Sequence, residues 1–292
     1  MAVNSDSSNK VIREYHSDDS FQERFNIYSD VTEYQLCLAF AADSGEGIFI
    51  PQWDIHKITP FLIQEFKANC AASNLPVKVF VSIGGNDPFK VAGGDGDDDW
   101  IANATYTLHK IIKKYHIDGI DVNYTKIQSN KNMFVDCIKK LIEGLRQAQA
   151  QATTGFVASL APDVSTNEAF YLPLYKAIDK TLIVTVVFQC FVDFEPDADN
   201  PVESLVRNVE KIVVRQYNDN DTKVLLGYSA IKSDWNKVSL PLFFLALNRL
   251  VRSLPRVTGA SVKVISDTTA SLPPTWIPQY LSWAVSDAGR NR

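Results

Sequence analysis

Short apolar runs alternate along this chain with longer stretches whose apolar residues recur every three or four positions, and the alternation is repeated eight times. The runs are 11–16, 34–42, 77–83, 117–125, 155–161, 182–191, 224–230 and 257–265. After the third run, Asp97-Asp98-Asp99 precedes Trp100, Ile101, Ala104, Leu108, Ile111, Ile112 and Tyr115. That spacing predicts a helix, with acids at its start and Lys113-Lys114 at its end to suit the dipole. Pro201 opens another, carrying Val202, Leu205, Val206, Val209, Ile212 and Val213. Ser239 is placed to cap a third, with Leu240, Phe243, Phe244, Leu247 and Leu250 as its buried stripe. Pro273-Pro274 introduces the last helix. Strands alternating with helices predict parallel pairing through crossover connections. Eight such units predict an α/β fold, a (β/α)8 TIM barrel, as a single domain over residues 11–287 with flexible ends at 1–10 and 288–292.

The fourth run, Ile117-Asp-Gly-Ile-Asp-Val-Asn-Tyr-Thr125, breaks the apolar pattern. Asp121, Asn123 and Thr125 alternate with Val122 and Tyr124, so the three polar residues share one face of a strand. Polar side chains inside a barrel cost free energy unless partnered, and such a row commonly belongs to a site.

This run resembles the barrel strand of glycoside hydrolase family 18, the chitinase family, whose pattern is Asp-x-x-Asp-x-Asp-x-Glu. Here the pattern reads Asp118, Asp121, Asn123, Thr125. A second family mark, Ser-x-Gly-Gly, stands as Ser82-Ile-Gly-Gly85. Ile12-Arg-Glu-Tyr15 and Lys223-Val-Leu-Leu-Gly-Tyr228 are similar to the plant branch that holds narbonin and the Rubisco-associated protein.

The resemblance implies a chemistry and a test of it. In the family a Glu protonates the glycosidic oxygen and the substrate's own acetamide attacks the sugar carbon. An Asp two residues earlier holds the acetamide, a Tyr on the sixth strand supports it, and a Trp on the eighth floors the sugar site. Here Thr125 stands for the Glu and Asn123 for the Asp. The sixth-strand segment reads Gln189-Cys190-Phe191, and Lys263 takes the Trp position. A threonine hydroxyl is far too weak an acid to donate at neutral pH. An amide accepts and donates hydrogen bonds but carries no charge. The resemblance therefore implies a barrel without hydrolase activity, with a storage-like or protein-associating role.

Two other readings stay open: a lectin-like binder of a sugar or other small molecule in the relic cleft, and an enzyme of new chemistry centred on Lys263, Asp121 and Tyr228. A desolvated lysine can form a Schiff base with a carbonyl ligand. The cleft is expected to be lined by Ser82, Asp118, Asp121, Asn123, Thr125, Gln189, Phe191, Tyr228 and Lys263. Lys263, inward by alternation with Ser261, is expected to meet Asp121 directly or through water. Trp53 and Trp235 are weaker candidates for a sugar platform.

Bulk properties narrow the partners. A formal net charge of −5 points away from nucleic acid and anionic membrane. The polar start of the chain lacks the apolar core of a signal peptide, and no run is long enough to span a bilayer. The four cysteines (Cys37, Cys70, Cys137, Cys190) are scattered, which reads as reduced thiols in a cytoplasmic protein. The stretch Gly93-Gly-Asp-Gly-Asp-Asp-Asp99 lacks the closing Glu and preceding helix of a calcium loop, and is expected to be a solvated lead into the next helix. No metal or cofactor is expected.

Overall fold

The structure is a computed structural model, and it describes residues 10–24, 31–91, 97–150, 155–190, 194–217, 222–229 and 238–263. Nine strands form one sheet: β1 (Val11–His16), β2 (Glu33–Asp43), β3 (Phe49–Pro51), β4 (Val77–Gly85), β5 (Gly119–Tyr124), β6 (Val157–Leu160), β7 (Ile183–Gln189), β8 (Lys223–Ser229) and β9 (Val257–Lys263). Every strand but β3 pairs in parallel, in the order β1-β9-β8-β7-β6-β5-β4-β2, and β1 also pairs with β2, which closes an eight-stranded barrel. All eight expected strands are present: β1 has its expected bounds, β2 and β4 run longer, β8 begins and ends one residue earlier, and the other four are shorter. β3 is an addition, an antiparallel hairpin partner for the end of β2, with Ala41 opposite Pro51 and Asp43 opposite Phe49.

The crossover helices include α1 (Pro60–Ala72), α2 (Asp97–Tyr115), α3 (Lys131–Ala148), α4 (Val164–Thr166), α5 (Leu172–Ala177), α6 (Pro201–Arg215) and α7 (Leu240–Ser253). Their starts follow from local chemistry. Thr59 accepts from the Leu62 amide with Pro60 behind it, and Asn130 accepts from Met133. Ser239 stands at the N-cap of α7, but its hydroxyl makes no capping bond, and only Phe243, Leu247 and Leu250 of the expected stripe are fully buried. The proposed last helix at Pro273-Pro274, most of the Gly93–Asp99 loop, residues 1–9 and the expected flexible end at 288–292 lie outside the described residues, while Lys10 is buried and donates its amide to Thr32.

Alternation along the strands separates two interiors. Outward-facing Val79, Val81, Ile83, Ile120, Val122 and Tyr124 join helix residues such as Leu108, Ile112, Phe134 and Leu141 in one large apolar core. Burial of that many branched and aromatic side chains is the main force holding helices to sheet. The opposite faces of the same strands meet inside the barrel, and there the residues are largely polar.

Candidate functional site

The barrel interior is built from β1 outward. Arg13 and Tyr15 point inward, whereas Ile12 before them joins the outer core. Arg13 is wholly buried, and its neighbours account for it. Its Nε donates to Gln35 Oε1 at 2.8 Å, and its Nη1 donates to Asp121 Oδ1 at 2.6 Å and to Ser159 Oγ at 2.8 Å. The guanidinium also lies 4.7 Å from the centre of the Phe80 ring. Desolvation opposes its charge, but the acidic groups around it, the Asp121 carboxylate among them, hold the guanidinium pKa above its ordinary value.

Asp121 is saturated. Besides Arg13, Oδ1 accepts from Ser159 Oγ at 2.5 Å, while Oδ2 accepts from Ser82 Oγ at 2.8 Å and Tyr15 Oη at 3.0 Å. Four donors occupy the acceptor sites of one carboxylate, leaving no place for a transferable proton. Burial, and then the negative field of Asp121, drives the Tyr15 phenol well above its ordinary pKa, so it acts only as a donor.

Towards the N-terminal ends of the strands the network continues. Gln35 Nε2 donates to Glu33 Oε1 at 2.5 Å and to Thr185 Oγ1 at 3.2 Å. Glu33 also takes Lys223 Nζ at 2.6 Å and Lys78 Nζ at 3.4 Å. Burial works against its charge, yet the bonds from Gln35 and Lys223 and the nearby lysines keep its pKa below the usual carboxylate value.

Towards the C-terminal ends lies the mouth. Gln189 reaches across from β7, and its Nε2 donates to Asn123 Oδ1 at 3.0 Å and to the Ala161 carbonyl at 2.6 Å. Thr125, half-buried just past β5, donates from Oγ1 to the Gly85 carbonyl at 3.1 Å. Gly85 has φ +69°, and a Cβ there would meet the Phe40 ring at 2.8 Å, so glycine lets that ring lie flat over the strand end. Phe40 in turn stacks on Tyr15 with centroids 6.3 Å apart.

The structure brings Ser82, Asp121, Asn123, Thr125, Gln189 and Lys263 to the inner face, and corrects four other expectations. Asp118 is not in the cleft. It precedes β5 at the barrel's other end, where it accepts from Lys67 Nζ and the Val79 amide, each at 2.8 Å. Tyr228 faces outward against Phe243 of α7, with centroids 5.0 Å apart, and the adjacent Ser229 occupies the inward position. Lys263 makes no direct bond to Asp121, whose direct donors are Arg13, Tyr15, Ser82 and Ser159. Its Nζ stands 6.0 Å from the centre of the Phe40 ring, because Arg13 already occupies the space beside the carboxylate. Trp53 is buried edge-on against Tyr115 and is no sugar platform. Phe191 and Trp235 lie outside the described residues. The sequence reading missed Arg13, Gln35 and Ser159. The signal for the first was available: in Val11-Ile-Arg-Glu-Tyr-His16, Arg13 shares one strand face with Tyr15 at period two.

Comparison with known proteins agrees with the barrel. The family model described as glycosyl hydrolases family 18 matches residues 15–270. A protein of Glycine max named RuBisCO-associated protein is 40% identical over 286 residues, covering 95% of this chain and 98% of the relative. Chitinase 1 of Tulipa saxatilis subsp. bakeri is 29% identical over 241 residues, covering 76% of this chain and 71% of its own. Among solved structures, the catalytic domain of a family GH18 chitinase from the fern Peteris ryukyuensis superposes with TM-score 0.74 at 24% identity, covering 95% of this chain and 100% of the other. A family 18 chitinase from Crocus vernus gives 0.72 at 24%, with 96% and 99% covered. With the family model spanning most of the chain and the barrel matched end to end, the chain belongs to glycosyl hydrolase family 18.

Proposed function

We propose that this chain is a non-hydrolytic member of its family that works by association with another protein. The observation that carries the first half is the mouth of the barrel. At the position of the family's proton donor stands Thr125, whose hydroxyl is spent on the Gly85 carbonyl. The two polar groups before it are equally committed, Asn123 to Gln189 and Asp121 to Arg13. General acid catalysis needs a side chain at the donor position that holds and releases a proton, and neither Thr125 nor Asn123 is such a group. The second half is supported by the relative from Glycine max, whose name records association with RuBisCO and which is similar over nearly its whole length.

Two measurements test the reading. Incubated with a fluorogenic chitobiose substrate, the protein is expected to release no more fluorophore than a heat-treated control, and Thr125→Glu alone is expected to stay equally silent. Turnover by the parent would overturn the non-hydrolytic half, whereas rescue by Thr125→Glu alone would show that the other replaced positions matter less than the missing acid. In the second, the protein is sedimented with purified RuBisCO and is expected in the pellet. Recovery in the supernatant alone would leave a storage-like role in place of association.

A further inference from the structure

The outer surface of α2 is built to meet itself. Its buried side carries Trp100, Ala104, Leu108, Ile111, Ile112 and Tyr115. The opposite side presents Asp99, Asn103, Tyr106, Lys110 and Lys113, all exposed and spaced three or four residues apart, hence in one stripe. Tyr106 is 61% exposed and sits at the midpoint of a helix that runs from Asp97 to Tyr115. The charges are arranged about that midpoint with opposite sign: Asp99 lies seven residues before it and Lys113 seven after. A stripe with opposite charges at its two ends and an aromatic centre is self-complementary at those ends under a twofold rotation that sets two copies of the helix antiparallel. Such a rotation sets Tyr106 against Tyr106, Asp99 beside Lys113 of the second copy, and Asn103 beside the other copy's His109.

The surroundings extend this face. Ile48 and Ile50 are exposed large hydrophobic side chains, as is Tyr106. Ile48 and Ile50 alternate onto the outer side of the β3 hairpin, and the hairpin is tied to α2. Thr107 Oγ1 donates to the Gly47 carbonyl at 3.1 Å, and Asn103 Nδ2 donates to the Glu46 carbonyl at 3.0 Å. The charged groups of the stripe have local contacts of modest strength: Lys110 Nζ lies 4.0 Å over the Tyr106 ring, and Asp98, at the stripe's edge, is 3.6 Å from Lys140 of α3. Exposed contacts of this kind are worth little and can be exchanged.

We infer that the chain forms a twofold dimer through α2 and the β3 hairpin, with Tyr106 at the centre and Asp99–Lys113 pairs at both ends. The occupant of the face is a second copy because its charges complement their own rotated image, and each pair is formed twice in an isologous interface.

Sedimentation equilibrium of the full chain at low salt, over a concentration series, is the test. The weight-average mass is expected to rise towards twice 32.6 kDa and to fall as salt is added. Asp99→Lys and Lys113→Asp each place like charges together twice, and each is expected to weaken the dimer by about tenfold or more. The combined Asp99→Lys/Lys113→Asp variant reverses both signs and is expected to regain the parent's dimerisation. All these positions are exposed, and an unchanged circular dichroism spectrum verifies folding. A parent protein that stays at 32.6 kDa throughout, or a double variant as weak as either single one, overturns the dimer.

Discussion

Arg13 and Asp121 face each other with neither side chain exposed, and this pair decides what the barrel interior can do. Taking two charges out of water costs several kcal/mol each, and their attraction repays it only when the remaining donors and acceptors are met. Ser82, Ser159, Tyr15 and Gln35 meet most of them. Replacing one member alone leaves a buried charge without its counter-ion, so Arg13→Met and Asp121→Asn are each expected to cost about 3–5 kcal/mol of unfolding free energy. The double variant is expected to lose clearly less than the sum, because it leaves neither charge stranded. Urea titrations of the four proteins give the coupling, and strict additivity would show that the two charges do not stabilise each other. This pair also shows where sequence reading stopped. The inward direction of Asp121, Asn123, Thr125 and Lys263 followed from period two. The partner of Asp121 did not, because pairing across a closed barrel joins residues 108 positions apart, and both Lys263 and Arg13 pointed at the same space.

At the scale of elements, all eight barrel strands were legible, since each is a run of branched or aromatic residues bounded by a helical pattern. The hairpin strand β3 was not. It has three residues, ends in Pro51, and leaves no period to detect. Tyr228 was misplaced for a different reason. In Lys223-Val-Leu-Leu-Gly-Tyr-Ser229 apolar residues fall on both faces, so alternation could not tell inside from outside. The turn at the end of β4 makes a sharper demand. Gly84 has φ +103°, and a Cβ there would stand 2.6 Å from the Asn123 carbonyl oxygen on the neighbouring strand. Neither backbone can yield without spoiling the β4–β5 register. Gly84→Ala is therefore expected to lose roughly 1–3 kcal/mol through strain at this φ. A denaturation midpoint equal to the parent's would show that the strand ends are looser than their spacing implies.

For the whole molecule, the polar column inside the barrel makes stability depend on acidity. Glu33 is held below its ordinary pKa of 4.5 by Gln35 and Lys223 despite its burial. A carboxyl with a depressed folded pKa contributes stability above its unfolded pKa, and that contribution is lost as pH falls through the lower, folded value. Glu33→Gln is thus expected to cost about 1–3 kcal/mol near neutral pH. The gap between variant and parent should narrow as pH falls below 4.5 and close once it has passed the lower, folded value, as the parent's own carboxyl takes up its proton. Thermal melts at both ends of that range give the answer, and a gap that persists undiminished in acid would assign the loss to packing. The column at the opposite end of the barrel from the mouth is thus a structural part of the fold, separate from the chemistry the family performs at its strand ends.

The four cysteines turn this architecture into a set of clocks. Cys37 sits inside the barrel, Cys70 and Cys137 lie under α1 and α3, Cys190 follows β7, and all four are buried. Burial raises the thiol of Cys37 and pushes those of Cys70 and Cys190 up to about 12, so these three are hardly ionised while the structure is closed. An alkylating reagent reacts with thiolate. Its rate at each cysteine therefore measures how often that region opens, and the four rates time the excursions of inner barrel, helix layer and strand end separately.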